Sequence, residues 1–451
     1  MRFTFLIEKS TLCNHIFNQS TKGGNFTEYE YIVVGSGAGG ATIARELSKR
    51  GKNVLIIEAG KYERKIGTFK DSLRYFETTG YKTPRTSKEG IILWRTIMAG
   101  GSTVVSCANG TRCLQEEFKD FGINLEKEFQ EAEKEMKIAP TPESLLSEAS
   151  LRIKEASEEL GYTMEPMPKF LDFTKCVRCG SCTFGCFQGA KWTALDYLND
   201  AIANGANVIY ETKVKQVISE NGNAKGIRGK GKDGYVEIKG DNIILAAGAL
   251  STPIILQNSR ISEAGRNLFI DILVNVYGKA KGLNQVSEPL MALVNHEFHE
   301  EKGFILSPHI NANKTVRFME AGIKGFMMPT NKLVGIMVKT ADDASGRVYP
   351  DGTVSKAMTK DDWKRVNEGS SIAKKILENI GAEPKSILVS KPQGAHVGGV
   401  AAIGNVVDEN LETKIRNLYV CDASVLPKAP GLPPILTIVA LAKWLGKTLV
   451  H

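Results

Sequence analysis

One run of residues near the start of this chain has the types and spacing to hold a dinucleotide: Gly35, Ser36, Gly37, Ala38, Gly39 and Gly40. Glycines at such positions let the chain turn sharply and let backbone N–H groups approach a pyrophosphate. Gly35 suits the tight turn, Gly37 the close approach, and Gly40 close packing of a helix on a sheet. A helix starting here turns its positive end toward the phosphates. Glu58 stands 18 residues beyond Gly40, where a carboxylate can accept from both hydroxyls of a ribose, and an acid there disfavours a 2′-phosphate. The run is compatible with FAD and NAD alike.

A second grouping is Cys176, Cys179, Cys182 and Cys186, four of the eight cysteines within eleven residues. The spacing C-x2-C-x2-C-x3-C is one that bacterial ferredoxins use for iron–sulfur clusters. Small neighbours, Gly180 and Ser181, would let the thiolates converge. Zinc is a second reading, although four-cysteine zinc sites usually come as two separated pairs. The third reading is no metal. Clustering of this kind favours metal or redox chemistry over a disulfide framework. Lys175, just before the run, and Arg178, within it, are candidate charge partners.

These residues need elements to position them. Residues 29–34 read as a buried strand, 41–50 as a helix and 53–57 as a second strand, a βαβ unit around the glycine turn. Residues 124–160 read as helices broken near Pro140 and Pro142. Residues 191–204 read as a helix, followed by strands at 208–211, 214–219, 235–239 and 242–246. The stretch 275–350 alternates loosely and reads as mostly β. Trp363, Val366, Ile372, Ile376 and Ile380 recur at helical spacing, predicting a helix over 360–380. The chain from Asn417 reads as strand, proline-rich turn, then helix over 436–449.

Length and composition set the bounds. A chain of 451 residues with 42% hydrophobic and 24% charged residues is long enough for two or three domains or one large bipartite unit. The net charge of +8 is spread out, with no dense basic block, so no nucleic-acid partner is expected. No apolar run approaches the length needed to cross a bilayer. Residues 1–27 read as a local extension, not a signal peptide. The expected location is cytoplasmic, with peripheral membrane contact left open.

Five stretches resemble the glucose–methanol–choline (GMC) family of FAD oxidoreductases. They are Val33–Gly40 with Ile57–Gly60; Ala99–Thr103 with Arg112 downstream; Thr212–Val214; Ile243–Pro253; and Asn417–Ser424 followed by Gly431–Ala442. The resemblance implies an FAD site built from Gly35, Gly37, Ala38, Gly40, Glu58, Ala59, Gly100, Ser102, Thr103, Val214, Ala247, Gly248, Asp422 and Pro434. It implies that the 100–103 loop runs along the pyrophosphate and beside the flavin, that the Val214 backbone meets the adenine, and that Asp422 reaches the ribityl or phosphate region. His396, in the Gly394–Gly404 loop, resembles the family's catalytic base. The family's second histidine or asparagine aligns with Pro433, which has no side-chain donor or acceptor.

The expected fold is therefore α/β: a Rossmann-type FAD-binding domain assembled from discontinuous segments, plus a substrate domain with an antiparallel β-sheet flanked by helices. The expected division is 28–120, 191–275 and 395–451 for the FAD-binding parts, 121–190 for a helical and cysteine segment, and 276–394 for the substrate domain. The expected function is an FAD-dependent dehydrogenase that oxidises a C–OH group of an alcohol or sugar-like substrate. Electrons would leave through a 4Fe-4S or 3Fe-4S cluster on the four cysteines to an external acceptor protein or subunit. Rival readings are an alcohol oxidase using O2 without a cluster, an electron-transfer flavoprotein subunit without a substrate of its own, and a lyase with structural FAD.

Overall fold

The computed structural model describes residues 29–78 and 83–450. The expectation for residues 1–27 falls outside them, as do Cys13, His15 and His451.

Tyr29–Val34 (β1) is buried at all but one position, as suits a central parallel strand covered on both faces. Gly35 ends it at a φ of +101°. Ala38–Ser48 (α1) and the fully buried Val54–Ile57 (β2) follow. β1 and β2 pair in parallel, with Val33 opposite Ile56, so α1 is the crossover of a βαβ unit. Asn207–Ile209 (β3) adds to β2 in parallel. Lys213–Glu220 (β4), Asn223–Gly231 (β5) and Gly234–Leu245 (β6) form an antiparallel meander.

β6 was expected as two strands but is continuous. Its first half pairs antiparallel with β5, and its second half pairs in parallel with β1. Gly240, which reads as a break, stays in the ladder opposite Tyr29. A Cβ there would sit 2.8 Å from the Ile32 side chain, so glycine serves the close approach. Leu418–Val420 closes the parallel sheet against β6. The C-terminal helix Ile435–Thr448 packs beside α1. There Lys443 Nζ lies 3.2 Å from both Glu46 and Glu135, and Arg45 pairs with Glu135 at 2.9 Å. Segments about 400 residues apart are thus tied together by a largely buried ion network.

A second sheet stands apart from the first. Its order runs Phe304–Pro308, Leu333–Thr340, Leu273–Lys279, Gln393–Gly394, Ile92–Leu93, Arg85–Thr86, with Leu388–Val389 also pairing Leu273–Lys279. We label Leu273–Lys279 β7, Phe304–Pro308 β8 and Leu333–Thr340 β9. Neighbours are antiparallel except Gln393–Gly394 with Ile92–Leu93. Two strands from the N-terminal third therefore complete a sheet expected from residues 276–394.

The 275–350 stretch is not mostly β. It also holds the helices Glu297–Lys302 and Lys314–Met327 (α2). The sequence cue is Asn313, whose side chain caps α2 by accepting from the backbone N–H groups of Thr315 and Val316. Lys360–Asn379 (α3) agrees with the spacing of its apolar residues. Its capping box, Thr359 with Asp362, fixes where it begins. Val366, Ile372, Ala373 and Ile376 of α3 pack on Val274, Val276, Val338 and Phe304 of the second sheet. That leaves the other face of this sheet for something else.

Candidate active site

One cavity of about 850 Å³ runs from the glycine turn to the second sheet. Gly35, Gly37, Ala38, Glu58, Ala59, Ser102, Thr103, Val214, Ala247, Gly248, Asp422 and Pro434 all line it. Of the expected cofactor residues, Gly40 and Gly100 stand behind this wall.

The glycines divide their work physically. A Cβ on Gly37 would meet no protein atom within 4 Å, so the space beside it is left for a ligand. A Cβ on Gly40 would lie 2.0 Å from Gly35 O, and one on Gly39 1.8 Å from Cys421 O. The expectation gave helix packing to Gly40 alone. Gly39 is the glycine that lets α1 reach the chain leaving strand Leu418–Val420. No side chain caps α1 at Gly37, which leaves its end to a phosphate. Glu58 is buried and accepts from Ser36 N (3.0 Å), Ser36 Oγ (2.6 Å) and Gly60 N (2.7 Å). Burial pushes its carboxyl pKa up. Asp422 accepts from Gly248 N, Thr252 Oγ1 and Ser424 N at 2.6–2.8 Å. These contacts hold the 248–252 and 422–424 loops, about 170 residues apart, at one place.

Arg95 was not foreseen. It lines the cavity and donates from Nη2 to Ser251 Oγ at 2.8 Å, while its buried Nη1 has no hydrogen-bond partner among the described residues. An unpartnered guanidinium nitrogen beside a phosphate-binding turn fits a dinucleotide. Burial lowers its pKa. Its sequence signal was weak: a cation five residues before Gly100. Arg112 points elsewhere, into ion pairs with Glu126 (2.8 Å) and Glu133 (2.6 Å). The glycine cradle, the acid on the ribose side and the Arg95 guanidinium, bonded to Ser251 and paired with Glu77 through its other nitrogens, together fit FAD.

His396 lines the far part of the same cavity. Its side chain keeps 24% of its surface exposed, in a ring otherwise enclosed. Nδ1 lies 3.3 Å from Asp271 Oδ2. Lys339 Nζ donates to that same oxygen at 2.7 Å, and Gly431 N donates to Oδ1 at 3.0 Å. Burial works against the Asp271 carboxylate, but Lys339 and His396 more than offset it, and its pKa falls below the usual range. An ionised carboxylate only accepts, so Nδ1 carries the hydrogen and Nε2 is left with its lone pair. Burial, helped by Lys339, lowers the pKa of His396. The imidazole is therefore neutral near pH 7 and able to take a proton.

Asp271 and Lys339 were both missed. Their signal was a single charge inside an apolar strand-like run, Ile270-Asp271-Ile272 and Met337-Val338-Lys339. Asp271 also has a φ of +50°, a conformation that aspartate tolerates better than most residues. Pro433 lines the cavity and has no polar side chain; Lys339 stands in the same wall as a second polar side chain.

The four cysteines share one loop but do not form the expected centre. Among the described residues, no group of three or more His, Cys, Asp or Glu is placed to hold a metal ion. The backbone turns repeatedly there, with positive φ at Arg178, Gly180 and Gly185, and Cys179 is exposed. Arg178 reaches away to Ser287 O and Leu146 O, and Lys175 pairs with Asp172 at 3.2 Å. The present arrangement of thiols does not fit a cluster. Thr183 and Phe184 of this loop nevertheless border the cavity. Lys191 Nζ joins the loop to it, donating to Val104 O (2.8 Å), Ser106 O (2.7 Å) and Cys182 O (3.1 Å).

Residues 29–273 and 340–442 each match a family model described as GMC oxidoreductase. An uncharacterized protein of Methanocaldococcus jannaschii is 33% identical over 418 residues, covering 92% of this chain and 98% of that one. A long-chain-alcohol oxidase of Arabidopsis thaliana is 26% identical, covering 92% of this chain and 66% of that one. Among solved structures, pyridoxine 4-oxidase from Mesorbium loti superposes with a TM-score of 0.72 at 16% identity, covering 94% of this chain and 99% of that one; it shares the fold.

Proposed function

The chain belongs to the GMC oxidoreductase family, and from that premise we propose that it oxidises a C–OH group by hydride transfer to bound FAD, with His396 as the base. The observation that carries the reading is a neutral imidazole, oriented by a carboxylate, in the same cavity as the phosphate cradle. Losing a hydride from carbon requires losing a proton from the attached oxygen. His396 Nε2 takes that proton. Asp271 holds the ring's tautomer and steadies the imidazolium that forms. Lys339 keeps Asp271 ionised and places positive charge near the oxygen as it becomes an alkoxide. Bound FAD supplies the hydride acceptor. Anaerobic mixing of the FAD-loaded protein with a panel of alcohols and sugars tests the reading: bleaching of the flavin band by at least one supports it, and an unbleached band with all of them refutes it.

A second reading sends the electrons to an external acceptor through an iron–sulfur cluster on Cys176, Cys179, Cys182 and Cys186. It draws on Lys169 and Lys191. Both are buried, both bond only backbone or amide oxygens, and neither makes an ion pair among the described residues. Burial lowers the pKa of both, and the nearby cysteines only partly offset it. Among the described residues no three of these thiols are placed to hold a metal ion, so the hydride-transfer reading does not depend on a cluster. Iron and acid-labile sulfide content decides between this reading and an oxidase that makes peroxide under air.

A further inference from the structure

The peptide between Pro430 and Gly431 is engaged at both ends. Its N–H donates to Asp271 Oδ1 at 3.0 Å, on the carboxylate that orients His396. Its C=O lies 2.8 Å from His299 Nε2. A carbonyl oxygen only accepts, so Nε2 carries the hydrogen and donates. His299 stands outside the cavity wall. It reaches the peptide from the outer side, where it borders a separate pocket with Leu432 and Thr111.

That peptide needs an external hold. Gly431 has a φ of +62° and follows a proline. A peptide between proline and glycine flips at small cost, since type I and type II turns differ by that flip and glycine accepts both. A flip would turn the N–H away from Asp271 and present the carbonyl oxygen to a carboxylate. Gly431 has no side chain through which packing could prevent it, so the hydrogen bond from His299 does the holding.

His299 is itself well fixed. It belongs to the helix Glu297–Lys302, which ends at Gly303 with a φ of +70°. Gly303 O accepts from Ala341 N at 2.8 Å, one residue beyond β9, the strand that carries Lys339. A Cβ on Gly431 would lie 3.1 Å from Ala341 Cβ and 3.2 Å from His299 Nε2, so ring, strand end and loop are in close contact. Glu300 Oε1 lies 3.2 Å from Nδ1, but its side chain is 92% exposed and water screens it. Glu117 also faces the ring and is paired with Lys428 at 2.5 Å. His296 stands one turn away on the same helix.

We infer that His299 is a positioning residue for the base: by donating to Pro430 O it holds the Gly431 N–H on Asp271, and so sets that carboxylate against His396 from outside the cavity. The inference rests on the reading of His396 as the base. Nothing is transferred through the peptide. The effect is one of orientation, reinforced because a hydrogen bond at one end of a peptide polarises the other.

The test is anaerobic flavin reduction by the most reactive alcohol or sugar, followed across the acid and neutral range in the FAD-loaded protein and two variants. His299→Leu removes the donor, whereas His299→Gln returns an amide N–H close to the place of Nε2. In His299→Leu the rate at saturating substrate should fall by on the order of tenfold, the worth of one hydrogen bond, with KM, FAD content and the bound-flavin spectrum near wild type. The acid limb of kcat/KM should move to higher pH, because a carboxylate that loses a donor favours the protonated imidazole more strongly. His299→Gln should recover most of the rate and restore the limb. A His299→Leu protein with the wild-type rate and acid limb would overturn the inference and leave the base in place. Equal losses in both variants would overturn it too, since the ring would then act through its bulk. No flavin reduction in the wild-type protein by any alcohol or sugar would overturn the base reading and the inference with it. Should His299→Leu fail to fold, His299→Asn takes its place: its amide is one methylene shorter than that of glutamine and falls short of Pro430 O, so the same losses are expected.

Discussion

Burial and Lys339 lower the basicity of His396, while Asp271 raises it. The net pKa lies below that of an ordinary histidine, so the unprotonated base is present at neutral pH. Activity should therefore rise with pH along an acid limb lying below about 6.5, the unperturbed value, and then level off. In Lys339→Met the cation that opposes protonation is gone. The acid limb of kcat/KM should move to higher pH, a shift that a merely structural lysine would not produce. His396→Gln keeps the cavity wall but loses the base. The rate of flavin reduction should fall by on the order of 10²–10⁴, with FAD still bound. Rapid-scan absorbance measures both variants. At this scale the sequence was partly legible. His396 and the glycines stood in motifs, whereas Asp271 and Lys339 became meaningful only when pairing of Leu273 with Lys339 brought one to the other.

At the scale of elements, α1 and its glycine turn make two opposite demands. Gly37 leaves space for a ligand, whereas Gly39 leaves none, because its neighbour is the Cys421 carbonyl. Gly37→Val should fold normally yet lose most of its FAD. Gly39→Val forces backbone apart and should cost at least about 1–3 kcal/mol of stability, reducing yield and melting temperature with or without FAD. Circular dichroism melts and flavin content separate the two. The βαβ unit and α3 were readable because apolar spacing and capping residues are local signals. The helices inside 275–350 were less so, because the loose alternation there conceals the cap at Asn313. The short strands Arg85–Thr86 and Ile92–Leu93 carry too few residues to show any period. The cysteine run shows the reverse limit: a spacing can suit a cluster while, among the described residues, no three of its side chains are placed to hold a metal ion.

For the whole molecule, the consequence is that segments from both ends of the chain meet at one cavity. Glu58, Ser102, Val214, Gly248 and Asp422 come from five separate stretches, yet line one cavity. Binding there should tie them together, so FAD at 100 times its Kd should add about 2.7 kcal/mol to unfolding stability, seen as a concentration-dependent rise in Tm. Removing FAD should loosen the C-terminal loop around Asp422 and Gly431 together with the glycine turn, measurable as faster amide exchange in both. The most direct test of the central claim is equilibrium titration of deflavinated protein with FAD, followed by flavin fluorescence. The account predicts saturable binding of one FAD per chain, weakened in Gly37→Val and not displaced by NAD. Folded protein that showed no saturable FAD binding would contradict it.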